Sequence, residues 1–535
     1  MKIMRPRVTV ASSSQTWWLI LGLCSIQSIV ATEIYDPIIR TESGRVRGQR
    51  HTLETKQVVE TYLGIPYAKP PLGYLRFRHP QPVDRWTEVR NVTVLPSSCY
   101  QAPDTQFGDF YGATVWNSPT PISEDCLYLN IYVPRTRARR KQNLSVMVWI
   151  YGGGFYSGTP TLGVYDGKIL AALGNVVVVS IGYRLGALGF LALNHPTAPG
   201  NAGLFDQLMG LEWVQRNIRN FGGNPDDVTL FGESAGSVSV SLHLLSPLSS
   251  WKFSKAIMQS GTANMPWATI TMDEAKRRAE ELAFDYLDCK RTDRPDEIAA
   301  CLRSVPPGKI VESQWVTRGV LQFPFLPVVD GVFLIAKPTE LLRRHSGFKK
   351  CPILLGSNAN EGSTFLIYEL SEYLDLNRVT MTRVQYTKSV KRLFHYFPQY
   401  PSRLSDRAVA AIDLQYMSHS MVVVGRNSSA ESLRNINALD MAVGDSQFVC
   451  PLNEFAQIYA KEGLDVYMYY FTHRYSSNPW PSWMGVVHGD EIFFVFGEAT
   501  KAKRNFTADE KNLSRRMMLY WTNFARTGYE LHCII

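Results

Sequence analysis

Long apolar runs, linkers, repeats and charge blocks are what this chain of 535 residues lacks. Beyond the stretch Trp17–Ala31, no run reaches the ~20 apolar residues of a membrane-spanning helix, which excludes a polytopic membrane protein. No Pro/Gly/Ser-rich segment or repeat period divides the sequence, so one large domain is expected over residues 32–535. Charged residues make up only 19% and hydrophobic ones 45%, a globular composition that excludes disorder or fibre. The formal charge is +9, but the basic residues are scattered. The densest group, Arg137–Lys141, reads as a solvated loop, so neither nucleic acid nor a membrane surface is an expected partner. No metal or cofactor site is expected.

Cysteine is scarce, eight residues in all, and its placement fits an exported protein. Lys2, Arg5 and Arg7 precede the apolar stretch Trp17–Ala31, the order of a secretory leader over residues 1–31 cleaved near Ala31. A signal anchor is the alternative. Cleavage removes three positive charges and Cys24. Cys99 with Cys126 and Cys289 with Cys301 are candidate local pairs, though spacing alone does not fix connectivity. Cys351, Cys450 and Cys533 remain, and Cys351 opens an apolar run as a buried thiol would. Sequons at Asn91, Asn143, Asn427, Asn505 and Asn512 are candidate glycan acceptors in an extracellular protein.

Hydrophobic periodicity predicts an α/β fold. Val146–Ile150 and Val176–Ile181 read as buried strands, and Val228–Phe231, Ala256–Met258, Ile353–Gly356 and Val466–Phe471 as further strands. Leu204–Asn220 and Ala235–Leu245 read as helices, the first stopped by Phe221-Gly222-Gly223. Their alternation implies a mostly parallel sheet covered by helices on both faces.

Gly232-Glu233-Ser234-Ala235-Gly236 lies between one of these strands and the helix after it. A G-x-S-x-G turn there holds the serine hydroxyl proud of the sheet edge, and the glycines keep the turn uncrowded. A serine nucleophile needs a base to take its proton and donors for the oxyanion. Gly152-Gly153-Gly154 directly follows strand Val146–Ile150. The amides of Gly153, Gly154 and Ala235 are the candidate donors. The residues alone do not choose the base among ten histidines.

These segments, with Tyr151–Gly158 and Ser123-Glu124-Asp125-Cys126-Leu127, resemble the cholinesterase/type-B carboxylesterase family from about Ile38 to Gly528. The resemblance implies the α/β-hydrolase fold and supplies the rest of the site. Asn360-Glu361-Gly362-Ser363 matches the acid segment, making Glu361 the acid. Met484–Gly489 matches the histidine loop, making His488 the base. Trp116 matches a tryptophan that holds a quaternary ammonium on its face, with Tyr165 and Glu233 beside it. Trp267, Leu321, Phe323 and Phe365 match an acyl pocket, with Leu321 where vertebrate members have Phe. Asp104, Trp315 and Tyr368 match the site entrance. Ala102, Thr364 and Asp490 stand where aromatic rings are usual, which implies weaker cation binding.

The resemblance thus implies an extracellular serine esterase, synaptic or cell-surface associated, acting on acetylcholine or a close choline ester. Its alternatives are a generalist carboxylesterase and a non-catalytic adhesion relative. Family members continue into an oligomerising helix and a third disulfide. Tyr529–Ile535 looks unrelated to that continuation, which leaves homo-oligomerisation open.

Overall fold

The β-branched runs form strands, and all of them join one sheet. A computed structural model describes residues 36–135, 143–317, 321–344, 347–394, 404–420 and 428–529. The expected leader, Arg137–Lys141, Asn427 and Cys533 lie outside the described residues. The sheet has nine strands among them: β1 (Gln49–Thr52), β2 (Val58–Pro66), β3 (Tyr128–Arg135), β4 (Leu144–Ile150), β5 (Val177–Ile181), β6 (Gly223–Glu233), β7 (Lys255–Gln259), β8 (Ile353–Asn358) and β9 (Val466–Phe471). Their spatial order is β9-β8-β7-β6-β4-β5-β3-β2-β1.

The six strands from β4 to β9 run parallel, and every residue of β5 and β7 is buried. Parallel strands buried on both faces read as unbroken Val/Ile/Leu runs, which is why their sequences are recognisable. The other edge is antiparallel: β1 pairs β2, β2 pairs β3, and β3 pairs β5. Strands β2 and β3 escape the sequence reading because polar residues interrupt them. Glu60 in β2 is 2% exposed yet holds the guanidinium groups of Arg50 and Arg135.

Helix α1 (Ala202–Asn217) and helix α2 (Ala235–Leu245) follow the expectation closely. All eleven residues of α2 are buried, so no amphipathic stripe marks it. Later come α3 (Ser363–Glu369), α4 (Ser428–Gly444) and α5 (Ala508–Thr527), the last with a Thr507/Glu510 capping box. Among the described residues, no helix is long and apolar enough to cross a membrane.

Both candidate disulfides are formed, Cys99–Cys126 and Cys289–Cys301. Closing loops of this length contributes about 3 kcal/mol each through lost unfolded-state entropy. Cys351 is a buried thiol, as expected, and burial pushes its pKa up to about 12. Cys450 is an exposed thiol. The sequons at Asn91, Asn143, Asn505 and Asn512 are all exposed.

Candidate active site

The site lies at the carboxyl ends of the parallel strands, where the loops after β4, β6, β7, β8 and β9 converge. Ser234 joins β6 to α2 with φ 56° and ψ −125°, outside the regions a side chain prefers. Such a residue carries about 1–3 kcal/mol of strain that its surroundings must hold. The surroundings are tight: a Cβ at Gly236 would lie 2.0 Å from the Ile150 oxygen, and one at Gly232 would lie 2.6 Å from Gly236. The two motif glycines therefore serve backbone approach. The Ser234 amide donates to the Gln259 carbonyl at 2.9 Å, tying the turn to β7.

Glu361 and His488, 127 residues apart in sequence, meet with Glu361 Oε2 at 2.5 Å from His488 Nδ1. Glu361 is 1% exposed. Its other oxygen accepts from the Asn358 amide at 2.7 Å and the Ser260 hydroxyl at 2.5 Å. Ser260 is absent from the sequence reading; its signal is a polar residue just past the end of β7. The rings of Phe365 and Phe448 border the imidazole at 5.4 and 4.9 Å.

His488 Nε2 makes no hydrogen bond among the described residues and lies 3.1 Å from Glu233 Oε1. In this state the base faces Glu233, and no hydrogen bond joins it to the Ser234 hydroxyl. Catalytic hydrogen bonds are often unformed in ligand-free sites. Burial alone would lower the His488 pKa, but the charges of Glu233, Glu361 and Glu491 outweigh it and raise it to about 9. Burial raises Glu233 to about 8, against the attraction of His488. The surrounding carboxylates thus favour a proton on the imidazole. Glu491, fully buried, accepts from Gln259 at 3.0 Å and Asn358 at 2.7 Å. It too is missing from the sequence reading, where nothing distinguishes it from a surface carboxylate.

Gly153 (φ 104°) and Gly154 (φ 58°) adopt conformations that favour glycine. At Gly152 a Cβ would lie 3.0 Å from that of Ser234, so the glycine loop passes directly over the serine. Neither the Gly153 nor the Gly154 amide donates within the described residues, and Ala235 opens α2, where amides lack helical acceptors. These three amides are thus unpaired among the described residues.

A cavity of about 580 Å³ is lined by Gly152, Gly153, Glu233 and His488; Ser234, Gly154 and Ala235 are not among its lining residues. Trp116, Tyr165, Leu321, Phe323 and Phe365 line it as well. The indole of Trp116 packs beside the histidine loop, since a Cβ at Gly489 (φ 86°) would make ordinary contact with Trp116 Cζ2 at 3.5 Å. Trp267 is not among the lining residues. It stands behind Phe323, edge to face at 5.6 Å, with its indole N–H on the Gln447 carbonyl. Trp267 is 3% exposed and backs Phe323 instead of lining the cavity. Asp104, Trp315 and Tyr368 also line the cavity; the Tyr368 hydroxyl donates to Asp104 Oδ2 at 2.5 Å and Trp315 meets Tyr156 edge to face. Ala102 and Thr364 also line the cavity. Asp490 turns away into the histidine loop, accepting from Asn478 Nδ2 and the Val487 amide.

A strained serine on a strand-to-helix turn, an acid–histidine pair and free amides above it define a serine hydrolase site on an α/β-hydrolase sheet. The Carboxylesterase family model matches residues 35–532, so the chain belongs to that family. It is 44% identical over 523 residues to an acetylcholinesterase of Electrophorus electricus, covering 92% of this chain and 80% of that protein. It is 43% identical to an acetylcholinesterase of Bungarus fasciatus, covering 96% and 82%. Identity to acetylcholinesterase 1 of Caenorhabditis elegans is 43%, covering 90% and 77%.

Proposed function

We propose that the protein is an extracellular esterase that hydrolyses acetylcholine or a close choline ester. The carrying observation is that the Trp116 indole, the Glu233 carboxylate and His488 line one cavity. A quaternary ammonium has no N–H to donate, so an aromatic face and a nearby carboxylate are the groups that hold it. Each aromatic contact supplies about 0.5–2 kcal/mol. The names of the relatives and the four exposed sequons support the same reading.

In this reading Ser234 Oγ attacks the acyl carbon while its proton passes to His488 Nε2. The amides of Gly153, Gly154 and Ala235 stabilise the oxyanion, each worth about 3–4 kcal/mol in the transition state. Collapse expels choline, whose oxygen takes the proton back from Nε2. Water then repeats the sequence on the acyl-serine, releasing the carboxylic acid and restoring Ser234. Glu361 stabilises the imidazolium throughout.

The Glu233–His488 contact gives the substrate a second task. A cation seated against Trp116 and Glu233 offsets the Glu233 charge, which lowers the His488 pKa and frees Nε2 for Ser234. Leu321 and Phe323 narrow the acyl side, and Leu321 leaves room for acyl groups longer than acetyl.

Labelling with an organophosphate tests the nucleophile. The expected result is one adduct, on Ser234, lost in Ser234→Ala. A folded protein that takes no label at Ser234 contradicts the reading and favours an adhesion role.

A further inference from the structure

The acid and histidine loops are stitched together by residues that touch no substrate. Asn360, beside the acid, donates its backbone N–H to the Val486 carbonyl at 3.0 Å, and its Oδ1 accepts from the Val486 amide at 2.9 Å. The Ser363 hydroxyl donates to the Met484 carbonyl at 2.8 Å. One residue from a different element completes the arrangement. Asp440, 4% exposed on α4, accepts from Asn360 Nδ2 at 2.7 Å through its Oδ2.

The contact is close-fitted. A Cβ at Gly362 would lie 2.4 Å from the Asp440 backbone oxygen and 3.0 Å from its Oδ1, so only glycine lets α4 approach the acid loop this nearly. A Cβ at Gly485 (φ 66°) would lie 2.1 Å from Asn360 Oδ1, which imposes the same requirement on the histidine loop. Asn360 is thereby held on both sides, by Asp440 and by Val486, with the acid one residue away and the base two.

We propose that Asp440 is a positioning residue for the hydrolysis: its carboxylate fixes the Asn360 side chain, and Asn360 sets the register that brings Glu361 onto His488. The inference rests on the reading of Ser234, Glu361 and His488 as the reacting machinery. A buried carboxylate is an expensive way to fill space, since apolar side chains do so without desolvating a charge. Burial pushes Asp440 up to about 7, with hydrogen bonding from Asn360 and the amides of Ser363 and Gly362 pulling it back. The charge bearing on it is that of Glu361, which pushes the same way, and the Tyr470 phenol also feels Asp440. Its retained role is as an acceptor for the Asn360 amide.

The test compares Asp440→Leu, which has the volume but no acceptor, with Asp440→Asn, which keeps an acceptor oxygen. Wild-type protein is first labelled with the organophosphate; absence of label would remove the serine-hydrolase reading and leave this inference without its reaction. With acetylthiocholine, Asp440→Leu should lose about 10–100-fold in kcat with KM within about two-fold, because misplacement alone costs this much in rate without touching binding. Asp440→Asn should stay within about three-fold of wild type on the same reasoning. Wild-type kcat in Asp440→Leu overturns the proposal, and so does an equal loss in Asp440→Asn. Should Asp440→Leu fail to fold, Asn360→Ala carries the decision: a kcat-only loss supports the stitch, and an unchanged kcat overturns it.

Discussion

In the proposed reading Glu233 has two opposing effects in one side chain: it attracts the substrate's cation, and it favours a proton on His488, the proposed base. His488 works as base only when deprotonated, so activity falls as pH drops through its pKa. Glu233 is the foremost charge raising that pKa to about 9. Glu233→Gln removes the charge, so the acidic limb of the kcat/KM profile should move to lower pH by about one unit, equivalent to some 1.4 kcal/mol. The KM for a choline ester should rise in the same variant. A limb that stays in place would show that Glu233 does not govern the imidazole. In the native protein, the limb for kcat with a cationic ester should lie below that for kcat/KM, since kcat reports the substrate complex.

At the scale of elements, the disulfide loop and the two glycine turns carry the geometry. Cys99–Cys126 closes the loop that bears both Asp104 and Trp116. The paired substitution Cys99→Ala/Cys126→Ala should therefore weaken binding of a cationic inhibitor while organophosphate labelling of Ser234 persists. It should also lower stability by about 2–4 kcal/mol, read by denaturant unfolding. Unchanged cation affinity would separate the loop from the cation site.

How far these elements were legible follows from what each has to satisfy. Strands such as β5 and β7 are visible because burial on both faces demands apolar runs, and the elbow because its glycines are sterically compelled. Strands β2 and β3 are hidden by Glu60 and other buried polar residues whose partners lie far along the chain. Glu361 and His488 are identifiable through family resemblance, since no local pattern sets one carboxylate or imidazole apart. Ser260 has only the weak signal of a polar residue just past a strand, and Glu491 and Asp440 have none, because their roles arise only when separate loops meet. Trp267 sits one layer deeper than the resemblance implies, a matter of packing depth that sequence spacing does not encode.

Across the whole molecule, the parallel sheet does the organising. Its strands deliver the oxyanion amides, the serine, the acid's supports, the acid and the base to one edge, in an order set by topology. The central claim joins this machinery to a cation held by Trp116. It is tested most directly by kcat/KM for acetylthiocholine against its uncharged carbon isostere, in wild type and in Trp116→Ala. The account predicts that wild type prefers the cation and that Trp116→Ala loses about 2–30-fold on the cationic ester, from 0.5–2 kcal/mol of cation–π binding. The uncharged ester should be nearly unaffected. Equal turnover of both esters, unchanged by Trp116→Ala, would contradict it.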